Sequence, residues 1–231
     1  MSVKRTLYHC AYQRRGGVTM AEKRIVITIS RQYGSGGAET GKKLAEELGI
    51  GFYDKNILRI NSDQSGIKES YFHLADEKAG NRLLYKIISS MTPEKGTPSF
   101  GSDLISADNL FRFQSEVIRK LAEQESCVII GRCADYVLAG MEGLVRIRLY
   151  AELESRIERI RAKDLYAEKE IEKNIRRIDR ERRDYYRYYA GRDWENPENY
   201  DLMINTTKIG ADGAVEIIRN YLKTAGYDLP K

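Results

Sequence analysis

The stretch ITISRQYGSGGAETGKKLAEELG, from Ile27 to Gly49, constrains the fold more than any other part of the chain. A β-branched run ends in a glycine-rich turn, and the turn opens directly into an amphipathic segment. Leu44, Ala45 and Leu48 recur at helical spacing and Gly49 supplies a stop, so the unit reads as strand, loop and helix. In such a unit the backbone N–H groups converge at the helix N-terminus and form a site for an anion.

The loop can be registered in two ways. A literal GxxxxGK[ST] pattern almost fits Gly36 to Lys43, but Lys43 stands where a metal-binding hydroxyl belongs. That register leaves hardly any helix before Gly49. The other takes Arg31 to Gly37 as the turn and starts a helix of about three turns near Gly37. In this second register the phosphate-binding candidates are Arg31, Gly34, Ser35, Gly36, Gly37 and Ala38. Gly37 then occupies the usual lysine position and Ala38 the usual Ser/Thr position, while Lys42 and Lys43 read as solvated helix lysines. Glu39 stands where a dinucleotide-binding GxGxxG loop needs its third glycine. A glycine-rich turn with no ligand is the competing reading.

Elsewhere, CVIIG, LVRIRLY and DLMINT read as further strands, separated by segments of helical period. Strands alternating with helices predict a mostly parallel sheet covered on both faces. The 231 residues can bury a sizeable core, and without repeats or an interdomain linker a single domain over 20–231 is expected. Residues 1–19 are basic but lack the apolar run of a signal peptide, so a poorly ordered N-terminal extension is expected there. Three cysteines without CxxC spacing suggest neither a disulfide framework nor a zinc site, which fits a reducing, cytoplasmic setting. No apolar run is long enough to predict a membrane span. Lys plus Arg number 39 against 34 acidic residues, a balance suited to phosphorylated small molecules that does not demand nucleic acid.

The segment IEKNIRRIDRERRDYYRYYAG carries the densest charge. Ile171, Ile175, Ile178, Tyr185 and Tyr189 predict one apolar helix face, flanked by a stripe of Arg176, Arg180, Arg183 and Arg187. Arg182 falls inside the apolar face, and Asp179 is its nearest prospective partner. A solvated basic helix is the plain reading. RNA binding by arginines interleaved with tyrosines lacks any accompanying signature and is not expected.

ITISRQYGSGG, LAEELGIGFYDKNIL, EVIRKLAEQESCVIIGRCADYVL, DRERRDYYRYYAG and YDLMINTT together resemble the cytidylate kinase-like family, a branch of the P-loop nucleoside monophosphate kinases. The resemblance spans residues 24–224. It implies a P-loop kinase three-layer α/β sandwich, with a five-stranded parallel sheet in the order 2-3-1-4-5, helices on both faces and an Arg-rich lid over about 152–195. It further implies ATP and Mg²⁺, and a nucleoside monophosphate acceptor, with CMP or dCMP first. A glycine in place of the loop lysine is a habit of this family. Arginine usually follows GSGG where this chain has Ala38, and Cys133 stands where the GRD-type motif often has Asp.

By the same resemblance Arg132 grips the acceptor phosphate, with Tyr53, Asp54, Arg112 and Asp135 as further acceptor-side candidates. Arg180, Arg182 and Arg183 join Arg132 as the arginines of phosphoryl transfer, and Asn205, Thr206 and Thr207 border the adenine side. No metal-ligand set is assigned. Plain structural roles compete throughout: a surface ion pair for Arg31, a helix cap for Asp54, a helix-terminal acid for Asp135, a solvated position for Arg112. The competing functions are a nucleotide-binding regulatory module with weak or no kinase activity, and a kinase of this fold with another acceptor.

Overall fold

The computed structural model describes residues 24–54, 82–91, 107–227 and 229. The expected extension over 1–19, the helix expected from Lys55, the first part of the helix expected over 67–91 and most of the loop expected over 91–103 lie outside these residues.

The elements follow as strand β1 (Val26–Arg31), helix α1 (Gly37–Leu48), β2 (Gly51–Tyr53), α2 (Arg82–Met91), α3 (Ala107–Gln124), β3 (Cys127–Ile130), α4 (Ala134–Val137), β4 (Leu144–Tyr150), α5 (Leu153–Arg161), α6 (Glu168–Ala190), a 3₁₀ turn (Pro197–Asn199), β5 (Leu202–Asn205) and α7 (Gly210–Thr224). The five strands form one sheet in the order β2-β3-β1-β4-β5, and every pairing is parallel. This is the three-layer P-loop kinase architecture.

Burial on both faces explains why the central strands read as continuous apolar runs. All four side chains of β3 are fully buried. Ile27 and Ile29 of β1 pack with Leu44 and Leu48 of α1 and with Ile218 and Leu222 of α7 on one face. Val26 and Ile129 pack with Leu84 and Ile87 of α2 and with Ile118 and Leu121 of α3 on the other. Each fully buried aliphatic side chain contributes about 1.5–3 kcal/mol. Among the described residues no helix is long and apolar enough to cross a membrane.

Three local expectations are corrected. The sequence offers Ser106 or Asp108 as a cap for α3; Asp108 sits inside the first turn, because the helix already begins at Ala107, and Ser106 lies outside the described residues. In α6 the fully buried residues are Ile171, Ile175, Asp179, Tyr186 and Ala190, whereas Ile178, Tyr185 and Tyr189 are only half-buried. The buried line is thus shifted by one residue after Ile175, toward the helix flank that meets the loop and the sheet. Asp179 does not pair with Arg182; it is held by Arg156 of α5 and by the Tyr33 N–H.

Candidate active site

The loop after β1 begins the site. Helix α1 starts at Gly37, with Gly36 before it in the left-handed region at φ 82° and no side chain capping the terminus. The N–H groups of its first three residues have no intrahelical acceptor, the arrangement that suits a helix N-terminus to an anion. The register from Arg31 to Gly37 therefore holds. Gly41 lies in the second turn against Ile130, and Lys42 is an exposed lysine facing Glu46 at 3.7 Å. Ala38 is exposed; Ser35 is buried and donates from its hydroxyl to the Gln32 carbonyl at 2.9 Å.

Helices α5 and α6 close over the start of this loop. The Tyr33 N–H donates to Asp179 Oδ1 at 2.7 Å, and Arg156 spans from the same carboxylate to the Tyr33 carbonyl. Arg182 donates from Nη1 to the Arg31 carbonyl at 2.9 Å, and its guanidinium lies 5.5 Å from the centroid of the Tyr33 ring. Burial holds the Arg182 pKa below its ordinary value, against the pull of Asp179.

After β3, Gly131, Arg132 and Cys133 all have positive φ, at 71°, 58° and 54°. A non-glycine residue in this region costs on the order of 1–3 kcal/mol, so two in succession mark a turn held in place by its surroundings. The turn delivers Arg132 to the cavity, where its Nε is buried without a hydrogen-bond partner. Tyr185 lies against it: burial drives the phenol pKa up to about 12, while the Arg132 charge pulls it down.

Arg31, Arg132 and Arg182 thus line one cavity of about 590 Å³ at the carboxyl edge of the sheet, together with Tyr33, Tyr166, Tyr185 and Trp194. Among the described residues none of the three arginines has an ion pair. Four neighbouring acids are committed elsewhere: Glu181 to Arg177, Asp179 to Arg156, Glu195 to Arg183 and Arg148, and Asp135 to the Tyr186 hydroxyl at 2.6 Å. The consequence shows at Arg31, whose pKa is pushed down to about 9, first by burial and then by Arg182 and Arg132.

The other sequence candidates fall in several places. Asp135 borders the cavity, buried and bonded to Tyr186; burial raises its pKa. Tyr53 is in the core and donates to Glu125 Oε1 at 2.7 Å. Asp54 is half-buried, and its charge acts on Arg31. Arg183 bonds Glu195 at 3.1 Å and is not among the residues that line the cavity. Arg180 is exposed, and Arg112 is exposed beside a separate depression on α3. Neither lines the cavity. Thr206 is fully buried and donates to the Ser35 carbonyl at 2.8 Å, tying the end of β5 to the loop. Asn205 is exposed and accepts from the Thr207 N–H and hydroxyl.

Four residues at the site were not singled out from the sequence. Arg156 braces the loop, and Arg159 binds Thr206 through its hydroxyl and carbonyl. Trp194 donates to the Ser30 hydroxyl at 2.7 Å, and buried Arg148 stacks on its ring at 4.0 Å. A charged residue in the middle of the LVRIRLY strand was the available signal for Arg148. Nothing local signalled the others, whose partners at the site lie 23 to 164 positions away.

For Mg²⁺, the loop offers no hydroxyl at Ala38, and among the described residues no group of three or more His, Cys, Asp or Glu could hold a metal ion.

A model of the cytidylate kinase-like family matches residues 26–208. A cytidylate kinase from Pyrococcus horikoshii is 24% identical over 203 residues, covering 87% of this chain and 89% of that protein. A crystal structure of an uncharacterized protein from Eubacterium ventriosum is 25% identical, with a TM-score of 0.64 over 87% of this chain and 99% of that one. A shikimate kinase from Bacteroides thetaiotaomicron is 15% identical, with a TM-score of 0.49 over 86% of this chain and 98% of that one.

Proposed function

Because the chain belongs to the cytidylate kinase-like family, we propose that it is a phosphotransferase moving the γ-phosphoryl group of ATP to a nucleoside monophosphate, with CMP or dCMP as the first acceptor to test. The observation that carries this reading is the convergence of Arg31, Arg132 and Arg182 on one cavity beside the loop cradle, with no ion pair among the described residues. Three guanidiniums crowded together are costly unless an anion is the intended occupant. The name of the Pyrococcus horikoshii relative supports cytidylate as the acceptor.

The chemistry asks little of the chain beyond position and charge. The acceptor oxygen belongs to a phosphate that is largely ionised at neutral pH, so no general base is needed. The bond from the γ-phosphorus to the bridging oxygen breaks as the bond to the acceptor phosphate oxygen forms, giving ADP and a nucleoside diphosphate. The amides at Gly36 to Ala38 would hold the donor phosphates, Arg132 the acceptor phosphate, and Arg182 the transferring group. Helices α5 and α6 would act as the lid, excluding water. A divalent ion, if used, would be carried by the nucleotide's own phosphates.

Gly37 and Ala38 favour a second reading, a nucleotide-binding module without transfer, because the loop lacks its own cation and hydroxyl. ADP release from ATP and Mg²⁺, screened across ribo- and deoxyribonucleoside monophosphates, separates the two. The kinase reading expects turnover with CMP or dCMP that falls at least ~100-fold in Arg132→Ala, the scale set by losing one transition-state contact. ATP binding without turnover on any acceptor would replace it with the binding module.

A further inference from the structure

The space that a side chain at position 37 would need is already filled. A β-carbon at Gly37 would lie 2.6 Å from Arg31 Cβ and 2.7 Å from its Cγ, well inside contact distance. At the far end, a β-carbon at Gly131 would lie 2.0 Å from Arg31 Nη1. The Arg31 side chain therefore runs between two glycines, from the helix N-terminus of the cradle to the strained turn that carries Arg132. Both glycines are spaces cut for it.

Its guanidinium is left without an ion pair among the described residues, while the Arg31 carbonyl accepts a hydrogen bond from Arg182. A guanidinium that only filled space would be replaced at lower cost by an apolar chain of the same length. We propose that the Arg31 guanidinium takes the role of the missing loop lysine, entering from the first residue of the loop instead of the last and lying between the donor phosphates on the cradle and the acceptor phosphate at Arg132. This rests on the kinase reading above. A planar fork can bind oxygens of two phosphates at once, which a lysine ammonium does as a point charge. Arg31 would contact non-bridging oxygens of the transferring group and neutralise charge as it spreads, with no proton exchanged. The lowered Arg31 pKa fits this: burial lowers it first, and a bound anion would offset both that burial and the repulsion from Arg182 and Arg132.

The test is calorimetric titration with ATP in Mg²⁺ buffer, paired with thermal melts. Arg31→Met keeps the stem over Gly37 and is expected to lose at least tenfold in ATP affinity with a melting midpoint unchanged or raised. Gly37→Lys alone should weaken both folding and ATP binding, because the new side chain meets the Arg31 stem. The exchange Arg31→Gly with Gly37→Lys moves the charge back to the usual position and should recover most of the lost affinity. An Arg31→Met protein that binds ATP like wild type, or an exchange variant no better than the single ones, overturns the assignment. No ATP binding by the wild type would overturn the kinase reading and this assignment together, whereas binding indifferent to Arg31 overturns this one alone.

Discussion

Asp135 is a buried carboxyl that accepts a hydrogen bond from the Tyr186 hydroxyl, and burial holds its pKa above the ordinary carboxylate value. That fixes the sign of its pH dependence. Between about pH 4 and its raised native value, the folded form binds more protons than the unfolded chain. Stability therefore falls as pH rises through this window. Asp135→Asn keeps an acceptor for Tyr186 and removes the charge. Its melting midpoint is expected to vary less with pH than the wild type's and to be no lower at pH 7. A variant with the wild-type slope, measured by melts from pH 4 to 7, would contradict this account. Arg182 was visible in the sequence because it interrupts an apolar face, and Arg132 through the family resemblance of the segment CVIIGRCADYVL. Their lack of ion pairs was not visible, since it depends on where Asp179, Glu181 and Glu195 spend their charges.

At the scale of elements, α1 is pinned to the sheet through Gly41. A β-carbon there would lie 2.5 Å from Ile130 Cδ1 and 3.3 Å from Ile29 Cδ1. Gly41→Ala gains about 1 kcal/mol of helix propensity but overpacks the core, which costs about 1–3 kcal/mol. Both isoleucines are fully buried and have little room to yield, so overpacking wins. A net loss of about 1 kcal/mol is expected in denaturant unfolding, with the loop still able to bind ATP. A stabilised Gly41→Ala protein would show that α1 stands off the sheet. The strand–loop–helix unit, the second loop register and the five parallel strands were legible because periodicity and glycine placement are local. The braces that aim the site were not: Arg156 to the loop, Arg159 to Thr206 and Trp194 to Ser30 each join segments far apart in the chain. Their residue types alone resemble ordinary helix and loop positions.

At the scale of the molecule, the sheet sets the loop after β1 and the turn after β3 side by side, because those strands are neighbours in the order β2-β3-β1-β4-β5. Helix α6 then brings Arg182 to the Arg31 carbonyl, in the same cavity. One cavity should in consequence hold donor and acceptor phosphates together. The most direct measurement is the affinity for a bisubstrate analogue in which adenosine and cytidine are joined through their 5′ oxygens by five phosphates, compared with ATP and CMP singly. Linking two ligands that occupy adjacent subsites raises affinity by roughly 100-fold or more. The account predicts a gain of that size, lost in Arg132→Met and Arg31→Met. An analogue that binds no tighter than ATP alone would contradict the claim that this cavity brings two nucleotides together.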